Sequence, residues 1–248
     1  MTPTLLLAVG YTQALEHAYH QLQKQDLPCT KVPSQAVTHL LLPVPSFDPD
    51  GTVKGGTKLD ALLAQLPKNI TVIGGNLVHP SLKEYHTIDL LQDAHYLAAN
   101  ARITAYCALS LAMQHLSCTP DSISFLVIGW GRIGKCLTQL LQALDTDITV
   151  AARKETDRAT LASLGINAIS TDGIQPSKYG VIFNTAPEML LPHCDGNALK
   201  IDLASKPGIG GNEVIWARGL PNKLAPESSG RLIADVVTSY LSETEAIT

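Results

Sequence analysis

The sequence predicts an α/β protein of two domains: a Rossmann-like doubly wound parallel sheet, and an N-terminal α/β domain completed by the C-terminal helix. Three observations carry this reading. The apolar run from Ser122 to Ile128 ends in Gly129-Trp130-Gly131-Arg132-Ile133-Gly134, a complete G-x-G-x-x-G. The next stretch is helix-periodic through Leu137, Leu140, Leu141 and Leu144. A second β-like run, residues 147–152, then closes a βαβ unit of about 30 residues, the context in which the glycine pattern gains its meaning.

Taken in order, residues 5–9 are short and apolar enough for a buried parallel strand, and Gly10 ends it. Residues 12–25 place Leu15, Ala18 and Leu22 on one helical face, and residues 39–44 form another apolar run. Gly10-Tyr11-Thr12 lacks a second and third glycine, so no second dinucleotide site is expected there. Residues 43–51, with Pro43, Pro45, Pro49 and Gly51, read as a loop leaving the carboxyl end of a strand, the side of an open sheet where ligands collect. Residues 59–66 predict a short helix and residues 70–73 a strand ending at Gly74-Gly75-Asn76. Beyond it stands His79, the best-placed candidate acid or base, with a hydrogen-bonded loop histidine as the alternative.

A long helix is expected over residues 96–116, joining the two domains, with Arg102 near its start facing either the cleft or solvent. After the βαβ unit, residues 158–164 are helical and Gly165 caps them. Gly180 to Pro187 and Leu199 to Gly208 each read as a strand leading into a polar loop over the crevice of a doubly wound sheet. Residues 220–226 look like a stiff crossover, and residues 228–241 like a terminal helix capped by Ser228 or Ser229 that returns to the first domain. The expected division is residues 1–98, a linking helix 99–118, a dinucleotide domain 119–225, and a returning helix 226–248.

In the fingerprint each glycine has a job. Gly129 permits the turn, Gly131 lets the backbone approach a pyrophosphate, and Gly134 allows close packing of helix on strand. The helix start offers the unpaired N–H groups of Arg132, Ile133 and Gly134 to phosphate. Where an NAD site places an acid for the ribose 2′-OH, this chain has Ala152-Arg153-Lys154. A guanidinium welcomes a 2′-phosphate, so NADP is inferred, with NAD served by Glu155 as the alternative. The loop after the strand ending near Asn184, Thr185 and Ala186 completes the cofactor-binding set.

A formal net charge of −4 argues against a nucleic-acid surface or a polybasic membrane patch. The five cysteines are widely spaced without a C-x-x-C pair, so no metal site is expected and the thiols read as reduced cytoplasmic core residues. The N-terminal apolar run is too short for a membrane span, and no export signal is expected.

Taken together, residues 127–154, Asn184-Thr185-Ala186-Pro187, Asp202-Leu203-Ala204-Ser205-Lys206-Pro207-Gly208 and Leu220-Pro221-Asn222-Lys223-Leu224-Ala225-Pro226 resemble the family of dipicolinate synthase A subunits from endospore-forming bacteria. The resemblance spans the chain from Pro43 onward, and the last two motifs are its most specific part. Two segments depart from the family pattern. Gly10-Tyr11-Thr12 stands where a Gly-Gly-Asp turn is usual, and Asn100-Ala101-Arg102-Ile103-Thr104-Ala105-Tyr106-Cys107 stands where the family has Asn-Ala-Ile-Pro-Thr-Ala-Glu-Gly.

The resemblance implies a fold like that of the two-domain 2-hydroxyacid dehydrogenases. It also implies sporulation-linked oxidation of dihydrodipicolinate, or its hydroxytetrahydro precursor, to dipicolinate with hydride passed to NAD(P). A flavoprotein-like B subunit is the implied partner, and homo-oligomerisation is left open. A dicarboxylate substrate needs paired cationic or N–H donors, for which Lys206, Lys223 and Arg102 are the candidates along with Ser205 and Thr104. Lys206 joins His79 as a candidate catalytic group. Two other readings stay open: a non-catalytic dinucleotide-binding subunit of a complex, and a dehydrogenase or reductase of another small hydroxy or imino acid.

Overall fold

The computed structural model of the chain describes residues 3–246. It falls into two compact units, one formed by the chain up to Asn100 and from Pro221 onward, the other by Ala101–Leu220.

The first unit is built on five parallel strands: β1 (Leu6–Ala8), β2 (Cys29–Thr30), β3 (His39–Leu41), β4 (Thr71–Gly74) and β5 (His86–Asp89). Their order in the sheet is β2-β1-β3-β4-β5. Strand β1 is buried along its whole length, as a strand covered on both faces requires. Two helices, α1 (Gln13–Lys24) and α7 (Pro226–Ala246), share one apolar cluster in which Leu15, Ala18 and Leu22 meet Ile233, Ala234 and Val237. They approach closely because α7 presents Gly230: a Cβ there would lie 2.6 Å from the Ala14 carbonyl and 2.5 Å from His17 Cβ. A second cluster includes Leu7, Leu40 and Val72 together with Leu59, Leu62 and Leu63 of α2 (Leu59–Leu63).

The second unit contains six parallel strands: β6 (Ser124–Ile128), β7 (Asp147–Ala151), β8 (Asn167–Ile169), β9 (Val181–Asn184), β10 (Leu199–Asp202) and β11 (Val214–Trp216). They lie in the order β11-β10-β9-β6-β7-β8. Numbered from β6, this is the 3-2-1-4-5-6 order of dinucleotide-binding sheets, with the direction of winding reversing between β6 and β9. Helix α4 (Arg132–Gln142) follows β6, and α5 (Glu155–Ser163) follows β7. The unit boundary falls within α3 (Ala94–His115).

Several elements differ from expectation for local reasons. Residues 220–226 are not a plain crossover: Leu220–Leu224 forms helix α6, since a proline in the first helical turn forfeits only an N–H that has no intrahelical partner. Helix α7 begins at Pro226 by the same logic, so Ser228 and Ser229 lie inside its first turn rather than at its cap. Helix α4 stops at Gln142, leaving Leu144 beyond it and 41% exposed. Helix α5 starts three residues before Arg158. No helix among the described residues is long and apolar enough to cross a membrane.

Candidate dinucleotide site

The register of the second sheet builds the site. Ile128 of β6 lies beside Ala151 of β7 and Asn184 of β9, and Asn184 lies beside Asp202 of β10, so four strands end on one line. The residues that follow, Gly129, Ala152, Thr185 and Leu203, therefore emerge together at the carboxyl edge, at the point where the winding reverses. An open crevice of ≈ 320 Å³ lies there, lined by Gly129, Trp130, Gly131, the strand end at Ala152-Arg153-Lys154, and Thr185 to Glu188.

The three glycines are distinguished by what a side chain would meet. Gly129 has φ +100°, and a Cβ on it would come within 2.6 Å of Thr185 Oγ1. On Gly134 a Cβ would strike the Gly129 carbonyl, so α4 lies against the turn only because that side chain is absent. Gly131 is different: beyond its own chain neighbours, a Cβ there meets no protein atom within 4 Å. Gly131 is also the N-cap of α4 and offers no capping side chain, while the first intrahelical bond runs from the Lys135 N–H to the Gly131 carbonyl. The N–H groups of Arg132, Ile133 and Gly134 thus begin the helix without an intrahelical acceptor, the geometry that suits an anion.

The strand end after β7 is held firmly. Arg158 Nη1 donates to the Ala152 carbonyl at 2.8 Å and to the Arg153 carbonyl at 2.7 Å, fixing the backbone that carries Arg153 and Lys154. Arg153 Nη1 in turn donates to both carboxylate oxygens of Glu188, at 3.0 and 3.2 Å. Glu155, the alternative ribose partner, lines a separate depression with Arg158 and Gly165; the acids lining the crevice are Asp157 and Glu188. Sequence reasoning singled out neither, and Glu188 had no signal, being 35 positions from its partner.

Asn184 and Thr185 are committed to the architecture. Asn184 is fully buried; its Nδ2 donates to Asp202 Oδ1 at 2.9 Å and the Ala186 carbonyl at 3.0 Å, while its Oδ1 accepts from the Ala186 N–H. Both amide hydrogens are thus used, so the side chain shapes the Ala186 turn rather than reaching outward. Thr185 Oγ1 donates to the Ile128 carbonyl at 2.9 Å. Asp202, also fully buried, accepts from the N–H groups of Ala204, Gly208 and Ile209 as well as from Asn184. That carboxylate ties the loops after β9 and β10 together and leaves Ser205 and Lys206 exposed on the second of them.

The remaining candidates are distributed over both units. In the second unit, Thr104 is buried in α3, while exposed Arg102 stacks over the Tyr106 ring at 5.8 Å. In the first unit, Lys223 is exposed on α6. His79 accepts the Ser81 N–H on Nδ1 at 3.3 Å, capping a short 3₁₀ turn, and its ring packs against Phe47 with centroids 5.1 Å apart. Nδ1 as acceptor leaves Nε2 to carry the proton of the neutral ring. His79 thus has a structural task in its own loop, which accounts for a histidine there without chemistry.

No protein-family model matches the chain. It is similar to the A subunit of dipicolinate synthase from Bacillus subtilis (strain 168), with 24% identity over 266 residues covering 96% of this chain and 88% of that protein. Among solved structures, the dipicolinate synthase A subunit from Bacillus halodurans superposes with a TM-score of 0.82 at 20% identity, covering 97% of this chain and 98% of that one. The transhydrogenase from Sinorhizobium meliloti superposes with a TM-score of 0.67 at 11% identity, covering 97% and 85%. The likeness to dipicolinate synthase A subunits therefore extends over nearly the whole chain, and the fold is one shared with the transhydrogenase and with L-alanine dehydrogenase, which superposes with a TM-score of 0.64 at 10% identity, covering 96% of this chain and 80% of that one.

Proposed function

We propose that this protein is an NADP-linked oxidoreductase acting on a small cyclic dicarboxylate in the manner of the dipicolinate synthase A subunit. The observation that carries the reading is the uncapped start of α4 at Gly131, open to solvent at the reversal point of a 3-2-1-4-5-6 sheet. The likeness to the A subunit of dipicolinate synthase supports the substrate class. In this reading the N–H groups of Arg132, Ile133 and Gly134 hold the pyrophosphate, and Arg153 with Lys154 holds the 2′-phosphate. The Thr185-Ala186 turn and the Ser205-Lys206 loop border the place of the reacting ring. Arg102, Thr104 and Lys223 remain the candidate carboxylate partners; Lys206 is the first candidate for proton acceptor, and His79 could serve only by giving up its cap on the Ser81 N–H.

NADP, when bound, supplies the two-electron acceptor. Conversion of dihydrodipicolinate to dipicolinate would remove a hydride, for which the bound dinucleotide would be the acceptor, and a proton; a hydroxytetrahydro precursor would first lose water. A flavoprotein-like B subunit is the proposed partner, and sporulation the proposed setting. A non-catalytic dinucleotide-binding subunit is the second reading. Tyr106 favours it: it stands where the family pattern has an acid, and it occupies Arg102 by stacking.

The test is to incubate the purified chain, with and without a B subunit, with NADP and enzymatically generated precursor while following dipicolinate by its ultraviolet absorbance. Dinucleotide-dependent formation above the uncatalysed rate supports the enzyme. Tight dinucleotide binding with no product under either condition selects the non-catalytic reading.

A further inference from the structure

We propose that Glu188 is a specificity-determining residue of the dinucleotide site, an internal counter-ion that engages Arg153 and competes with a 2′-phosphate for it. This rests on the NADP reading and adds a residue that the strand-end pattern does not reveal.

The two side chains come from different connections, Arg153 from the end of β7 and Glu188 from the loop after β9, and both line the same crevice. A single nitrogen, Nη1, serves both carboxylate oxygens, so the guanidinium is held on one corner rather than along its two-pronged edge. Both backbones are fixed independently of this pair. The strand end is pinned by Arg158. The Glu188 segment is pinned on one side by Asn184 and Ala186, and on the other by the Leu190 and Leu191 N–H groups donating to the Gly208 carbonyl, each at 3.0 Å. Gly208 packs so closely that a Cβ on it would lie 2.5 Å from the Glu188 carbonyl. The fold therefore delivers a carboxylate to the ribose-reading cation, and exchanging it for phosphate requires only side-chain rotation.

Magnitude decides what the pair does. Arg153 and Glu188 side chains are 71% and 56% exposed, so the pair is a weak, screened one. Exposed ion pairs are worth little, which limits the effect of Glu188 to lowering NADP affinity by up to about fivefold. NAD, with no 2′-phosphate, does not compete for Arg153 and is unaffected.

The experiment is calorimetric titration of NADP and NAD into the wild-type chain, Glu188→Gln and Arg153→Ala. Glu188→Gln should bind NADP roughly two- to fivefold more tightly, with NAD affinity unchanged. A wild type that prefers NADP and loses it in Arg153→Ala, combined with wild-type NADP affinity in Glu188→Gln, overturns the role of Glu188 alone. Weaker NAD binding in Glu188→Gln, with NAD preferred by the wild type, overturns both: it makes Glu188 the ribose acid and removes the NADP reading. Near-surface placement of both residues makes folding of each variant straightforward to verify by circular dichroism.

Discussion

The first strand-to-helix turn of each unit invites comparison, because the two are built alike and end differently. Both leave a buried parallel strand through a glycine of nearly the same conformation, φ +104° at Gly10 and +100° at Gly129. In the first unit the turn is sealed by the protein itself. The Tyr11 N–H donates to the Lys54 carbonyl at 2.7 Å, and Thr12 Oγ1 accepts the Leu15 N–H at 3.1 Å to cap α1. In the second unit Gly131 replaces the capping threonine, and beyond its chain neighbours no protein atom lies within 4 Å of where its side chain would start. One hydroxyl and one carbonyl therefore close, in the first unit, a helix start that stays open in the second, without altering the fold around it.

The largest expected effect separates the units by how they hold their crevice loops. Strand β10 ends in Asp202, buried and accepting from four donors; β5 ends in Asp89, part-exposed and accepting from the N–H groups of Asn76, Leu77 and Leu91. Removing a partner from a buried donor costs about 1–3 kcal/mol, so Asp202→Ala should destabilise the second unit by at least about 3 kcal/mol. Asp89→Ala, whose donors can turn to water, should cost less than half of that. Chemical denaturation of both variants checks the order, and equal losses would break the contrast.

A smaller effect is expected at the sealed turn. Thr12→Ala uncaps α1 and should cost about 1 kcal/mol in thermal unfolding, the usual value of a side-chain N-cap. If the Lys54 carbonyl alone sealed the turn, stability would be unchanged.

The least effect is a difference in acid response. Burial, reinforced by nearby His86, holds the His39 imidazole below its ordinary range. The unfolded chain takes up this proton at about pH 6.5 and the folded chain resists it, so the contribution is intact above that pH and declines as pH falls through it. Hydrogen exchange should show β1 and β3 amides losing protection as pH falls below about 6.5 in the wild type, and less so in His39→Gln. Strands β6 and β7 carry no histidine and should not follow.

The contrast also explains what could be seen in the sequence. Apolar runs and helical periodicity marked β1, β3, β4, β6, β7, β9 and β10 because these strands are buried. The strands missed, β2, β5, β8 and β11, lie at sheet edges: β5 and β8 carry exposed residues such as His86 and Asn167, β2 is two residues long, and the apolar strand β11, Val214-Ile215-Trp216, is only three residues long. The glycine fingerprint was legible because its chemistry is backbone chemistry at fixed spacing. The pairing of Arg153 with Glu188 and the internal use of Asn184 were not, since each depends on which strands the sheet sets side by side.

What sets the start of α4 apart from that of α1 is a shape suited to phosphate. Titrating NADP into Gly131→Ala tests this most directly, because the added Cβ meets no protein atom within 4 Å beyond its own chain neighbours, while a ligand in the crevice would feel it. Affinity should fall by about tenfold or more, an effect of roughly 1.4 kcal/mol, while the unfolding temperature stays within about a degree or two of wild type. Wild-type affinity in a folded Gly131→Ala protein would contradict the assignment of this turn.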